Sequence, residues 1–241
     1  MGYAHWVDAS VDIAAALMRG QEATQALLGD TITITDEQWQ MPSRLPGWTR
    51  AHVATHIARQ ADGMTRVLGQ IKNNQPTSLY DSEETLDDEI ERGSERSAME
   101  LQVDLDSSAG RLHEASSRLK RLPPSRPISL TPSLTVPLGD LPIVRLNHLV
   151  LHHIDLDIGF TYEAIGAPVA AWLLAYNASR IGRKPSYPAL RLVSDSGVTA
   201  VIGSGGRPRV VNGADNLLLA WLTGRLTPAQ VDPRLPVLPT R

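Results

Sequence analysis

RLNHLVLHHIDLDIGF, residues 145–160, is the stretch on which the fold turns. It is apolar around most of its circumference, the pattern of a helix buried in a bundle rather than lying on a surface. Yet it carries His148, His152 and His153 together with Asp155 and Asp157. A buried imidazole left without a partner costs about 1–3 kcal/mol, so such a helix needs a reason for its histidines. At about 100° per residue, His152 stands about 40° from His148 and Asp155 about −20°, so these three share one stripe. By the same arithmetic His153 falls about 140° away and belongs to another face. The stripe is a pair of imidazoles one turn apart, with a carboxylate within reach of the second.

Working outward, the stretch sits in a helix expected over about 140–159, and three more long helical segments precede it. Residues 3–28 carry Trp6, Ile13, Leu17, Leu27 and Leu28 among alanines, with Gly20 tolerated at some cost. MPSRLPGWTR (41–50) is a loop of turn residues, after which Thr49 is placed to cap a helix running to about Lys72. Residues 82–121 predict one long charged helix or two in sequence, opened by the acidic start SEET. The proline-rich ISLTPSLTV region (128–136) alternates as an extended link or hairpin. Four long helices with such links predict a bundle.

Past Gly159 the pattern changes. APVAAWLLAYNASRIG (167–182) predicts a helix, PALRLVSDSG and VTAVIGSGG two strands turning at Ser196-Gly197, and RPRVVNG a third. ADNLLLAWLTGRL (214–226) predicts a closing helix with Asp215 as its cap or first-turn acid, and the tail from Thr227 is expected to be irregular. The expected fold class is a mainly α four-helix bundle followed by a small α+β C-terminal domain, with domains at 1–162 and 163–241.

Composition narrows the function. The chain has 241 residues, 42% hydrophobic and 20% charged, with a net charge of −3, which is the profile of a soluble globular protein. Basic residues are scattered, so no nucleic-acid surface is expected. MGYAHWVDAS lacks the basic and apolar regions of a signal peptide, and no apolar run nears the ~20 residues of a membrane span. A cytoplasmic protein with no membrane partner is expected. There is no cysteine, which removes disulfides, thiolate metal sites and a cysteine nucleophile together.

The helix beginning at Thr49 contributes HVATH, a second i, i+4 pair, His52 and His56. Histidines on two facing bundle helices are a usual way to build a metal centre, and three ligands with an open position make it catalytic rather than structural. The alternative is that the histidines are core residues satisfied by backbone or water, which is how His5 and His113 are read. Asp155 either pairs with His152 along the helix surface or stands behind an imidazole and fixes its tautomer.

LPGWTRAHVATHIA, then RLNHLVLHHIDLDIG, then LLLAWLTGR resemble, in order and spacing over nearly the whole chain, the mycothiol-dependent maleylpyruvate isomerase family, within the wider DinB-like group of metal-binding four-helix bundles. The resemblance implies a divalent metal, zinc first, in the helical domain, with the C-terminal domain closing over it. His56 and His152 match metal ligands of the family. His148 occupies the third ligand position, where the isomerases carry a glutamate in an REV-like triplet and this chain has NHL. Arg225 matches an arginine implicated in activity; read without the resemblance, it is a surface arginine at a helix C-terminus. Three neutral imidazoles leave the full charge on the ion, which favours binding a thiolate.

The resemblance also implies the chemistry. A low-molecular-weight thiol such as mycothiol would be bound as thiolate and add to a small electrophilic substrate. In the isomerase version addition, bond rotation and elimination convert maleylpyruvate to fumarylpyruvate; in the S-transferase version the sulfur stays on the product. Arg225 would hold a substrate carboxylate or stabilise an enolate. His52 is a substrate contact, a proton carrier or a core residue. A non-catalytic DinB-like metal binder predicts metal-dependent melting without thiol turnover, and a purely structural bundle predicts neither.

Overall fold

Side-chain caps set the helix boundaries of the N-terminal half. In the computed structural model, which describes residues 12–117 and 119–239, helix α1 (Ile13–Thr31) starts at Asp12, whose carboxylate accepts from the Ala14 amide at 3.1 Å. Residues 3–11 of the expected first helix, with His5 and Trp6, lie outside the described residues. A one-turn helix α2 (Asp36–Trp39) follows on a Thr35/Gln38 capping box. Helix α3 (Arg50–Lys72) begins after the expected cap, Thr49. The charged region resolves into two helices: α4 (Glu83–Ser94), capped by Ser82, and α5 (Ala98–Ser116), opened by a Ser97/Glu100 capping box. Each such cap contributes about 1 kcal/mol. A new start at Ser97 thus divides what hydrophobic periodicity leaves as one run.

The proline-rich link is an antiparallel hairpin, β1 (Pro127–Thr131) with β2 (Leu134–Pro137), pinned to the segment before α4 by Leu79 N–H donating to Leu130 O at 2.9 Å. Helix α6 (Leu141–Asp155) then starts with Pro142 in its first turn, where the missing amide costs no hydrogen bond. It ends four residues earlier than the expected 159, because Asp157 (φ 55°) and Gly159 (φ 106°) leave helical geometry.

Helix α3 packs against α5 and α6, α1 packs against α6 and α5, and α4 lies on α3. The core between them is made by Leu27, Trp39, Val53, Ile57, Leu101, Leu105 and Leu149, all nearly solvent-free. Gly93 permits the α3–α4 contact: a Cβ there would stand 2.3 Å from the Thr55 methyl.

The chain divides into two compact units, one spanning Asp12–Phe160 and the other beginning at Thr161. In the second, α7 (Ala167–Ile181) packs on α8 (Asp215–Leu222) beside a three-stranded sheet of β3 (Pro188–Ser194), β4 (Thr199–Ile202) and β5 (Ser204–Gly213). The strand order is β4-β3-β5, with β3 antiparallel to β4 and parallel to β5. Asp215 takes the second of its two expected roles: it is a first-turn acid, accepting from Ser196 Oγ at 2.7 Å, while Ala214 is the cap. The tail is more ordered than expected, since Thr227 and Gln230 form a capping box around Pro228 and start a one-turn helix, α9 (Pro228–Val231). The molecule is mainly helical with a small α+β part. No helix among the described residues is long and apolar enough to cross a membrane.

Candidate metal centre

Helices α3 and α6 bring three imidazoles to one point. His56, His148 and His152 each present a ring nitrogen within 4.8 Å of the other two, and His56 Nε2 lies 3.0 Å from His148 Nε2. The ring centroids are 4.7, 4.9 and 4.3 Å apart for the pairs 56–148, 56–152 and 148–152. Nitrogens on a tetrahedral ion with Zn–N near 2.05 Å stand about 3.3 Å apart, so the cluster has the scale of such a coordination sphere. No other group of this kind occurs among the described residues.

Asp155 takes the place behind an imidazole. Its Oδ2 is 2.9 Å from His152 Nδ1, and the residue is only 1% exposed. A carboxylate only accepts, so Nδ1 carries the proton, and in the neutral ring this leaves the lone pair of Nε2 for the cluster. Burial, with help from the charges of His152 and Arg145, pushes the pKa of His56 down to about 3 against the opposing pull of Asp155. At neutral pH His56 is therefore a neutral imidazole. Its Nδ1 is buried and has no hydrogen-bond partner among the described residues.

Behind this pair, the turn-rich loop 41–49 is tied to the end of α6. Arg44 N–H donates to Asp155 O at 2.8 Å and Arg44 Nε to Asp157 Oδ1 at 2.9 Å, while Arg50 donates to the carbonyls of Leu156 and Asp157. The loop thereby sets Trp48 in an edge-to-face pair with His56, with ring centroids 5.3 Å apart and planes 66° to one another. No role is assigned to Trp48, Arg44 or Arg145 by the sequence reading, although Trp48 lies in the GWTR stretch that carries the resemblance and Arg145 lies one turn before His148 on a helix otherwise apolar at that level.

The remaining histidines have other partners. His52 completes the capping box of α3, its Nδ1 3.2 Å from the Thr49 amide and 2.7 Å from the Thr49 hydroxyl; its Nε2 is 3.4 Å from Glu91 Oε2. His153, on the other face of α6, is 3% exposed, stacks on Phe160 and reaches Asp30 Oδ2 at 3.1 Å. His113 is exposed on α5, 2.8 Å from Gln21 Nε2. Arg225 lies in the second unit just after α8, its Nη1 donating to Thr223 O at 2.7 Å. A cavity of about 1060 Å³ between α1, α5 and α6 is lined by Leu17, Met64, Leu112 and Leu141 and by none of the three clustered histidines.

Fold and site together define a class: a helical bundle that gathers imidazoles from two of its helices, in a chain that also folds a small α+β unit. The sequence profile described as the mycothiol maleylpyruvate isomerase N-terminal domain matches residues 20–157, and the chain belongs to that family. The crystal structure of the mycothiol-dependent maleylpyruvate isomerase is similar at a TM-score of 0.82 and 21% identity, covering 96% of this chain and 98% of that one. A variant of it with one histidine replaced by alanine is similar at 0.81 and 20% over the same shares. At such identity these structures speak for the fold. No curated protein matches the chain.

Proposed function

We propose that this protein is a metal-dependent enzyme that uses a low-molecular-weight thiol, mycothiol in the first instance, to act on a small electrophilic substrate by thiolate addition. The observation that carries the reading is the convergence of His56, His148 and His152 with Asp155 fixing one of their tautomers. The donor set suits a divalent ion, zinc first. Such an ion, when bound, supplies a Lewis-acid centre that favours the thiolate form of a thiol at neutral pH. The chain has no cysteine, so the thiol must come from outside.

The protein's own part is to hold and exclude. Asp155 keeps the His152 ring oriented, burial keeps His56 neutral, and the Trp48 ring packs against His56 on one side. We assign Arg225 to a carboxylate or enolate oxygen of the substrate, a role suited to a planar bidentate donor. For His52 the capping contact supports a structural role, and any proton-carrying role would pass through Nε2 toward Glu91.

The name carried by the solved relatives favours isomerisation of a cis double bond, as in maleylpyruvate, over S-transfer. Metal per chain, measured by elemental analysis on wild type and His148→Ala purified without chelator, tests the centre. About one ion per wild-type chain, mostly lost in the variant, is expected; metal absent from both after zinc addition would end this reading. Turnover of maleylpyruvate with and without mycothiol then separates the reactions, since isomerisation returns the thiol and transfer consumes it.

A further inference from the structure

Arg145 is the one arginine of α6, and it is 8% exposed. A buried guanidinium normally meets a carboxylate, because an unpaired buried charge is costly. Among the described residues none lies within ion-pair distance of it. Its Nη1 donates instead to Ile57 O at 3.0 Å and to Gln60 Oε1 at 2.7 Å, both on α3. Burial accordingly draws its pKa down to about 10.

The positions of these contacts are informative. Ile57 is the residue after His56, and Gln60 is one turn further along the same face of α3. Arg145 itself is one turn before His148 on α6. One side chain therefore bridges the two helices that deliver the three imidazoles, within one turn of the imidazoles on each helix. Helix packing by apolar residues alone tolerates small slides, whereas a two-acceptor guanidinium bridge fixes translation along both axes.

We infer that Arg145 is a positioning residue of the three-histidine centre: by tying Ile57 O and Gln60 on α3 to α6, it sets the register at which His56 meets His148 and His152. The inference rests on the metal reading above, and its role is distinct from that of Asp155, which orients a single ring.

The test is a Co²⁺ titration of metal-stripped wild type, Arg145→Met, Arg145→Lys and Gln60→Leu, followed by the visible d–d bands of the ion, with far-UV circular dichroism of each metal-free protein. Loss of an outer support of this kind lowers metal affinity about 10–100-fold. That loss is expected for Arg145→Met with altered d–d bands and retained helicity, with partial recovery in Arg145→Lys. Gln60→Leu removes one acceptor while keeping the charge, and is expected to lie between wild type and Arg145→Met; it reads the bridge even if Arg145→Met fails to fold. Variants that bind Co²⁺ with wild-type affinity and bands would overturn the inference, as would lowered stability with an unchanged spectrum. A wild type that takes up no Co²⁺ would overturn the metal reading itself, and this one with it.

Discussion

Burial makes two histidines of α6 and α3 titrate in the same direction. His56 is drawn down to about 3 and His153 to about 4, in each case by burial first, against the opposing charges of Asp155 and Asp30 respectively. Both rings are bases whose folded pKa lies below the ordinary value near 6.5, so the unfolded chain binds more protons between those limits. The contribution of these two rings to the stability of the metal-free protein is therefore fully present above about pH 6.5 and declines as the pH falls, by about 1.4 kcal/mol per pH unit for each ring. Urea midpoints in chelator at pH 7 and pH 5 should show this loss, and His153→Phe, which keeps the stack on Phe160, should roughly halve it. Equal midpoints at the two values would mean that the folded protein accommodates the protonated rings. Residue by residue, the stripe His148–His152–Asp155 was legible because helical angle alone groups it and sets His153 apart. His52 was not, since a histidine at the third position of a helix caps only if its ring turns back to the N-cap amide. A rotamer of that kind leaves no mark in the sequence.

Glycines show how the helices use close approach. Gly20 in α1 and Gly110 in α5 have nothing within 4 Å of where a Cβ would go, whereas a Cβ on Gly93 in α4 would collide with the Thr55 side chain. In the open positions alanine gains helix propensity, so Gly20→Ala and Gly110→Ala should each raise stability by about 0.5–1 kcal/mol. Gly93→Ala should lower it by about 1–3 kcal/mol, the usual cost of overpacking, because α4 must move off α3. Thermal melts of the three single variants decide the matter, and a stabilised Gly93→Ala would show that the contact is not tight. At this scale the long helices were readable from periodicity and caps, Thr49 above all. The one-turn helices α2 and α9 were not, since four residues hold too little of a 3.6-residue repeat to register, though their capping boxes are written in Thr35–Gln38 and Thr227–Gln230. The split between α4 and α5 is decided by Ser97 and Glu100, whose reciprocal bonds end one reading of a continuous charged helix.

For the whole molecule, the bundle and the α+β unit follow from the change of pattern past Gly159, but the sheet order does not. β3 lies between β4 and β5 because the chain passes Pro188 at Gly203 (φ 68°), where a Cβ would stand 2.0 Å from the Pro188 carbonyl oxygen. Such a passage depends on contacts between segments, to which local periodicity is blind. The division into units carries a prediction of its own. All three clustered imidazoles come from α3 and α6, within Asp12–Phe160, while Arg225 belongs to the unit beginning at Thr161. An ion that binds only the folded state stabilises it by RT ln(1 + [L]/Kd), about 4 kcal/mol at a thousandfold excess over Kd. In hydrogen exchange read by mass spectrometry, added zinc should slow peptides covering Arg50–Lys72 and Leu141–Asp155 and leave those covering β3 to β5 near their metal-free rates. Arg225→Ala should keep the metal content and this protection pattern while losing thiol-dependent turnover. Protection spread evenly over both units, or metal lost with Arg225, would show that ligation is not confined to the bundle and would break the assignment of separate tasks to His56, His148 and His152 on one side and Arg225 on the other.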